Sequence, residues 1–501
     1  MAELPYRIVV GLEVHVQLLT KTKLFCGCLN KFGLPPNSAT CPVCLGMPGV
    51  LPVMNRKAYE LALKAAMALN CEIARFTKWD RKNYYYPDLP KNYQISQYDL
   101  PMSSEGWLEI NAAADPKKEY KAKRVGIIRA HLEEDAGKNL HDESGQGGVS
   151  RVDLNRTGTP LLEIVSKPEI SSGHEAVAYL QELRLMLREL GISDCEMQEG
   201  SLRCDANVNI HMDAAGGKPI ATPLVEVKNL NSIRAVERAI NYEAERQHKA
   251  FHDPNDKDSY QKRFGDVAKA TAGWIDERGM TRIQRRKEEA SDYRYFPEPD
   301  LEPVEVDDAW LNKVKAEMGE LPAQQRQRLQ SLYSLSIYDA NVLAGQGRPT
   351  VAYFEETAKL CGDAKAASNW LSNQVLAWLH ENKRAIHEFP LKPATMAELI
   401  GQVKSRGLNN QLSREVYMKM LETGESAEMV IAKSGIKVFG DDELRAIISK
   451  GLTDNPKAVA DYKKGNAKAI DRIKGVVMKE TKGQARMDVV QKLLEEELAK
   501  V

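Results

Sequence analysis

The sequence predicts an α+β protein: a sheet-based N-terminal part, mainly antiparallel, followed by helical modules. Strand-like segments with period-two alternation recur between residues 8 and 228, each setting apolar residues against polar ones. Past Arg294 that alternation stops, and apolar residues fall at helical intervals. Between the two regimes lies Asp292–Asp308, a stretch with three prolines and no periodic stripe, which reads as a boundary.

The first strand is Ile8–Leu18. Leu12, Val14, Val16 and Leu18 share one side, and Gly11, Glu13, His15 and Gln17 the other. Neighbours on one side of a strand lie roughly 6.6 Å apart, so a carboxylate, an imidazole and an amide converge there. The same design recurs in four further segments. Arg129, His131 and Glu133 alternate with apolar residues in Gly126–Asp135, Arg151, Asp153 and Asn155 do so in Val149–Arg156, and Arg203, Asp205, Asn207 and Asn209 in Arg203–Ile210. Glu226 and Lys228 complete the set in Val225–Lys228. A solvated outer face would be rich in Lys, Glu, Thr and Ser; short Asp, Asn and His with Arg and Glu are the residues that bind metal and phosphate. Glu133, Glu134 and Asp135 stand in sequence at a strand end and need a cation or basic partner if buried.

Between the first and second strands, Cys26-x-Cys28 and Cys41-x-x-Cys44 are separated by twelve residues. Four thiolates on two knuckles suit a closed tetrahedral zinc site; an empty site and redox dithiols are the alternatives. Asn55–Asn70 carries a helical apolar stripe, and Ser172–Gly191 is a second amphipathic helix opened by the capping pair Ser172 and Glu175. In Asp80–Gln97, tyrosines and prolines are interleaved with Arg81, Lys82 and Lys91. Such a stretch either stacks a base and holds phosphates or forms a proline-pinned loop on the sheet.

Seventy basic residues balance seventy acidic ones in 501, so bulk charge attracts neither nucleic acid nor anionic membrane. A local patch is the exception: Pro456–Arg486 holds nine Lys or Arg against three acids, with Ile470, Ile473 and Val477 on a separate face. It reads either as a nucleic-acid contact or as a solvated helix face. No apolar run approaches the ~18 residues of a membrane span and the N-terminus lacks targeting features, so the chain is expected to be cytoplasmic. There is no P-loop and no Gly-x-Ser-x-Gly elbow; if the chemistry needs a glutaminase, another chain supplies it.

The motifs GLEVHVQL (11–18), CPVCLGMPGVLPV (41–53), RKNYYYPDLP (81–90), HLEEDAGK (131–138), DLNRTGTPLLEIVSKPEI (153–170), MQEGSLRCDANVN (197–209), EVKNLNS (226–232) and KEEASDYRYFPEPDL (287–301) resemble the B subunits of the tRNA-dependent amidotransferases, over nearly the whole chain. These subunits take part in converting misacylated Glu-tRNA and Asp-tRNA to Gln-tRNA and Asn-tRNA. The resemblance implies a catalytic cradle domain over residues 1–298, a helical domain over 299–425 and a tRNA-gripping, YqeY-like tail over 426–501. It implies ATP, Mg²⁺ and two partner chains in a heterotrimer, the glutaminase (the A subunit) and the small C subunit. It also implies that Glu13, His15, Glu133, Glu134, Asp205 and Glu226 bind magnesium or lie close to it, with Lys82 and Lys228 neutralising phosphate. Within the tail, Lys463, Lys464, Lys468, Lys482 and Arg486 are the expected tRNA contacts. One departure stands out: ahead of Gly273-Trp274 this chain reads Lys269-Ala270-Thr271-Ala272, where the family pattern is Gln-Glu-Thr-Arg. An acid and an arginine are missing, which puts one metal or phosphate contact in question, with Asp266, Asp276 and Glu277 as candidate replacements. The competing reading is a non-catalytic, zinc-containing RNA scaffold. Against it, a groove lined with acids repels phosphate unless metals intervene.

Overall fold

In the first strand, Val10, Leu12, Val14 and Val16 are completely buried while Glu13, His15 and Gln17 are only partly so, which is the alternation the sequence predicts. The computed structural model describes residues 4–113, 120–140, 149–213, 220–253, 269–286, 293–434, 440–463, 467–481 and 485–498. Its strands relevant to the site are β1 (Tyr6–Gln17), β2 (Asp80–Asn83), β3 (Tyr93–Ser96), β4 (Ser103–Ala112), β5 (Lys121–Glu134), β6 (Pro160–Ser166), β7 (Leu202–Met212), β8 (Val225–Lys228), β9 (Ala270–Ile275) and β10 (Met280–Arg286).

One sheet runs in the order β10-β9-β8-β7-β1-β6-β5-β4, with Glu72–Ile73 at its far edge and Ile220–Ala221 paired to β7. All these pairings are antiparallel except β8 with β9. β1 lies in the middle, so its polar side chains are flanked by those of β6 and β7.

Helices α1 (Arg56–Ala68), α2 (Gly173–Glu189) and α3 (Ile233–His252) bury their apolar stripes in the same core as the inner face of the sheet. Each is started by a side-chain cap that satisfies backbone donors otherwise left open. Asn55 accepts from Lys57 and Ala58 N–H, Ser172 from Glu175 N–H, and Ser232 from Ala235 N–H. The capping pair of α2 is displaced by one residue: the Glu175 carboxylate takes the N–H of Ser171 at 2.8 Å.

Beyond the sheet, β2 and β3 form a hairpin to which Phe296–Pro297 adds a third strand. Helix α4 (Asp308–Ala316) places Trp310 against Tyr59 of α1, and its indole N–H donates to Glu60. The first compact unit runs to Gln324. The second unit, Gln325–Val501, is helical in its described residues and has two apolar cores, one from Leu329 to Ile431 and one from Leu444 to Leu498. Ile470, Ile473 and Val477 are buried in the latter, as their spacing predicts. Among the described residues no helix is long and apolar enough to cross a membrane.

One strand reading needs correction. Arg151–Asp153 does not join the sheet; it pairs only with Lys138–Leu140. The Asp153 carboxylate accepts from Asn37 N–H, and Asn155 accepts from Ala39 N–H, so these polar residues hold the loop between the cysteine pairs rather than lining the sheet. Three paired residues are too few to carry a face, and the side chains are taken up by backbone donors of the cysteine loop instead. The strand that takes its place beside β1 is β6.

Candidate active site and cysteine centre

Strand register assembles the polar face. Across the sheet, His131 of β5 stands opposite Glu163 of β6, Glu163 opposite His15 of β1, and His15 opposite Arg203 of β7. One step along, Glu13 is opposite Asp205; a further step brings Asn207 opposite Glu226, and Glu226 opposite Thr271 of β9. The result is two clusters on one face.

The first cluster is His15, Glu133 and Glu163, whose ligand atoms lie within 4.8 Å of one another. His15 Nε2 is 3.5 Å from Glu163 and 3.9 Å from Glu133, and His131 Nε2 is 3.5 Å from Glu163. Burial and the neighbouring Glu163 push the Glu133 carboxyl up to about 7. Burial also works against ionising Glu163, but the hydrogen bond and charge of His15 hold it below the usual carboxylate range. His131, fully enclosed, is pushed down to about 4 by burial and stays neutral. Its Nδ1 has no hydrogen-bond partner. His15, by contrast, is held above the ordinary histidine range, because Glu163 and Glu133 outweigh its burial. Two carboxylates and an imidazole are a donor set that suits a divalent cation, which would take the place of the proton on His15.

The second cluster is Glu13, Asp205 and Glu226, again with ligand atoms within 4.8 Å. Lys228 Nζ lies 2.5 Å from Asp205 and 2.9 Å from Glu226, and Lys269 Nζ lies 3.3 Å from Glu226 and 4.0 Å from Glu13. Asn207 donates to Glu13 at 2.7 Å, and its own carbonyl oxygen is buried without a partner. The carboxylates fit a cation, which would have to displace or share with the ammonium groups.

Lys82 lies near the first cluster, 4.9 Å from the centre of the Tyr293 ring and 5.8 Å from that of Tyr84, and its charge favours the ionised forms of Glu133 and Glu163. Among the described residues no carboxylate oxygen pairs with its ammonium within 4 Å. Arg81, one residue earlier, is engaged differently: it forms two 2.7 Å bonds with Glu298 and lies over Tyr93. Tyr98 and Tyr295 stack at 4.1 Å between centroids, so the tyrosine-rich stretch presents a rigid aromatic wall.

The structure does not bring Glu134 to these clusters. It alternates away from Glu133, is buried, and its carboxylate takes Lys91 and the N–H of Ile95. Asp135 accepts from Gln17 and from Arg203, tying β5 to β1 and β7. Ala270 and Ala272, the positions of the missing acid and arginine, point with Val225, Val227 and Trp274 into the apolar core. Only Thr271 and Lys269 of that stretch reach the polar face. Asp266 lies outside the described residues, and Asp276 is engaged by Arg238 and the Trp274 indole.

The four cysteines converge. Cys44 Sγ is 3.7 Å from Cys26, 3.8 Å from Cys41 and 4.0 Å from Cys28. A tetrahedron with metal–sulfur bonds of about 2.3 Å has edges of about 3.8 Å, so the set fits zinc with no position left for water. Fully buried Lys23 donates to the carbonyls of Ala39 and Leu154 and approaches Cys44 Sγ at 3.4 Å, where its charge offsets that of the thiolates. Gly46 closes the second knuckle at φ +65, and a Cβ there would meet Lys91 at 2.5 Å.

Sequence reasoning missed Glu163, Lys269 and Lys23. Glu163 was visible as the only polar residue within LLEIV, at the right parity for a site face, but the segment lacks a second polar neighbour. In the tail, Arg486 pairs with Asp488. Lys464 and Lys482 lie outside the described residues, and only the backbone of Lys463 and Lys468 is described.

Comparison with known proteins names the class. Residues 8–312 match the GatB/GatE catalytic domain and residues 352–498 the GatB domain. The chain is 47% identical over 491 residues to the B subunit of the aspartyl/glutamyl-tRNA(Asn/Gln) amidotransferase of Rhodopirellula baltica, covering 98% of this chain and 97% of that one. It is 45% identical to the protein of the same name in Carboxydothermus hydrogenoformans, covering 99% of each, and 45% identical to that of Moorella thermoacetica, covering 98% and 100%. The class is thus the glutamine-dependent carbon–nitrogen ligases that act on tRNA. The chain belongs to the family of B subunits of the tRNA amidotransferase.

Proposed function

We propose that this chain activates the side-chain carboxylate of misacylated Glu-tRNA(Gln), Asp-tRNA(Asn) or both with ATP, and amidates it with ammonia from a partner glutaminase. The observation that carries the reading is the convergence of carboxylates and imidazoles from five strands on one face, with no nucleophile needed. A carboxylate is a poor electrophile. Its oxygen attacks the γ-phosphorus and ADP leaves; ammonia then attacks the carbonyl carbon of the acyl phosphate and inorganic phosphate leaves.

His15, Glu133 and Glu163, with Glu13, Asp205 and Glu226 beside them, hold Mg²⁺, which when bound neutralises the crowded anions. Lys82 and Lys228 supply positive charge to the phosphates, Lys82 from a position free of described carboxylate partners. The tyrosine wall excludes water and offers ring faces to a base. Zn²⁺ at Cys26, Cys28, Cys41 and Cys44 is structural. The glutaminase partner (the A subunit) releases the ammonia, and the C subunit completes the heterotrimer. The tail grips tRNA through Lys463, Lys464, Lys468, Lys482 and Arg486, and the assembly works in the cytoplasm. The test is amide formation by the reconstituted heterotrimer on each misacylated tRNA. ATP-dependent product on at least one supports the reading; tRNA binding without ATP turnover would make the chain an RNA scaffold.

A further inference from the structure

The two carboxylate clusters differ in what already compensates them. Around Glu133 and Glu163 stand the imidazoles of His15 and His131 and the Ser96 hydroxyl, which donates to Glu133 at 3.3 Å, and no lysine or arginine among the described residues pairs with either carboxylate within 4 Å. Around Glu13, Asp205 and Glu226 two ammonium groups are already seated. Lys228 bridges Asp205 and Glu226, and Lys269 bridges Glu226 and Glu13. Lys228 is on β8 itself, two residues from Glu226 and thus on the same side of the strand. Lys269 comes from outside the strand, from the residue before β9, and has 27% of its side chain exposed, so it reaches the cluster from the solvent side. Among the described residues, the two carboxylates are what hold its ammonium in place.

We propose that Lys269 is a tethered cation that occupies the Glu13–Asp205–Glu226 cluster and competes there with a divalent ion, leaving His15, Glu133 and Glu163 as the tight metal site. The inference rests on the metal-binding reading of the face. A cation placed among the three carboxylates must either tolerate an ammonium within 3.3 Å of Glu226 or push it out. A divalent ion a few ångströms from an ammonium is repelled by twice the energy of a unit pair, so losing this lysine is worth about tenfold or more in metal affinity even at a half-solvated site. Anionic phosphate arriving at the face supplies the lysine with an alternative partner, which frees the cluster for metal at the moment the substrate is present.

The test is a Mn²⁺ titration of the full chain assembled with its partner subunits, with bound ion counted by electron paramagnetic resonance in the absence of ATP. The wild type is expected to show one tight site, lost in Glu163→Gln. Lys269→Gln should gain a second site at least about tenfold tighter than any second binding in the wild type. That gained site should persist in Lys269→Gln/Glu163→Gln and vanish in Lys269→Gln/Glu226→Gln. Lys269→Arg, which keeps the charge, should reproduce the wild type. Identical isotherms for wild type and Lys269→Gln would overturn the proposal, as would an arginine variant that behaves like the glutamine one, since packing and not charge would then be the cause. If the wild type binds no tight Mn²⁺ and Glu163→Gln changes nothing, the metal reading of the first cluster fails. The proposal for Lys269 is still decided by the difference between wild type and Lys269→Gln.

Discussion

The two clusters share β1 and are separated by one step of its alternation, yet they are built for different work. His15 looks towards β5 and β6, where the buried His131 imidazole and two carboxylates stand without ammonium partners among the described residues; Glu13 looks towards β7 and β8, where lysines already answer the acids. Burial raises Glu133 to about 7 in the first, so that cluster gains most from a cation. In the second, two ammonium groups already offset two of the three carboxylate charges. Placing Glu13 and His15 at i and i+2 on a central strand is what lets one sheet carry both groups of carboxylates, and on the proposal above it would give the sheet one strong cation site and one responsive one.

The comparison breaks most severely if the chemistry is shared equally. Glu163→Gln should lower the rate of amide formation by roughly a hundredfold or more, as removal of a group that stabilises developing charge does. Glu13→Gln, measured in the same steady-state assay, should cost less, because Lys228 and Lys269 then relax onto Asp205 and Glu226. Equal losses would mean that the two clusters act as one site.

Next in size is the strand that carries both. Leu12 is completely buried and adjoins Glu13 in sequence, so Leu12→Ala should cost roughly 2–5 kcal/mol in denaturant unfolding. Glu13→Gln, on the partly exposed side, should stay within about 0.5 kcal/mol. A comparable loss in both would show that the polar face is structural.

The cysteine centre, with four sulfurs and no carboxylate, is the proposed zinc site, and it should be indifferent to changes in the two clusters. Metal analysis should find about one zinc per chain, abolished with solubility in Cys41→Ser/Cys44→Ser and untouched in Glu163→Gln. The smallest effect belongs to the tail. Replacing Lys463, Lys464, Lys468 and Lys482 by Ala should weaken tRNA binding and flatten the slope of affinity against salt, leaving ADP release at saturating tRNA nearly unchanged. An unaltered slope would make that segment a solvated helix face.

Much of this was legible in the residues. Period-two alternation located β1, β5, β7 and β8 and the correct face of β1, β7, β8 and the end of β5, because one buried side forces parity on the other. Ile128, expected on the apolar side with Ala130 and Leu132, is exposed instead, because a register shift beside it puts Val125 and Ile127 in the core. Cys-x-Cys and Cys-x-x-Cys announced a converging thiolate set by spacing alone. What could not be read was partnership across the chain. Glu134 looked like a third acid of the site, but parity turns it inward to Lys91, 43 residues away in sequence. Asp153 and Asn155 had the right alternation for a strand and spend it on the cysteine loop. Glu163 had a single polar position in an apolar strand, and only pairing with β1 and β5 reveals that it is flanked by two histidines. The alanines at 270 and 272 looked like losses at the site until register placed them in the core.

The central claim is that the first cluster performs phosphoryl transfer. Its most direct test is ADP release by the assembled heterotrimer on misacylated tRNA, measured without an amido donor in the wild type, His15→Ala and Glu133→Ala. The account predicts that both variants melt like the wild type, keep the partner's glutaminase activity and release ADP at least about a hundredfold more slowly. Wild-type ADP release in both variants, with only amide formation lost, would contradict it and assign the polar face to ammonia delivery.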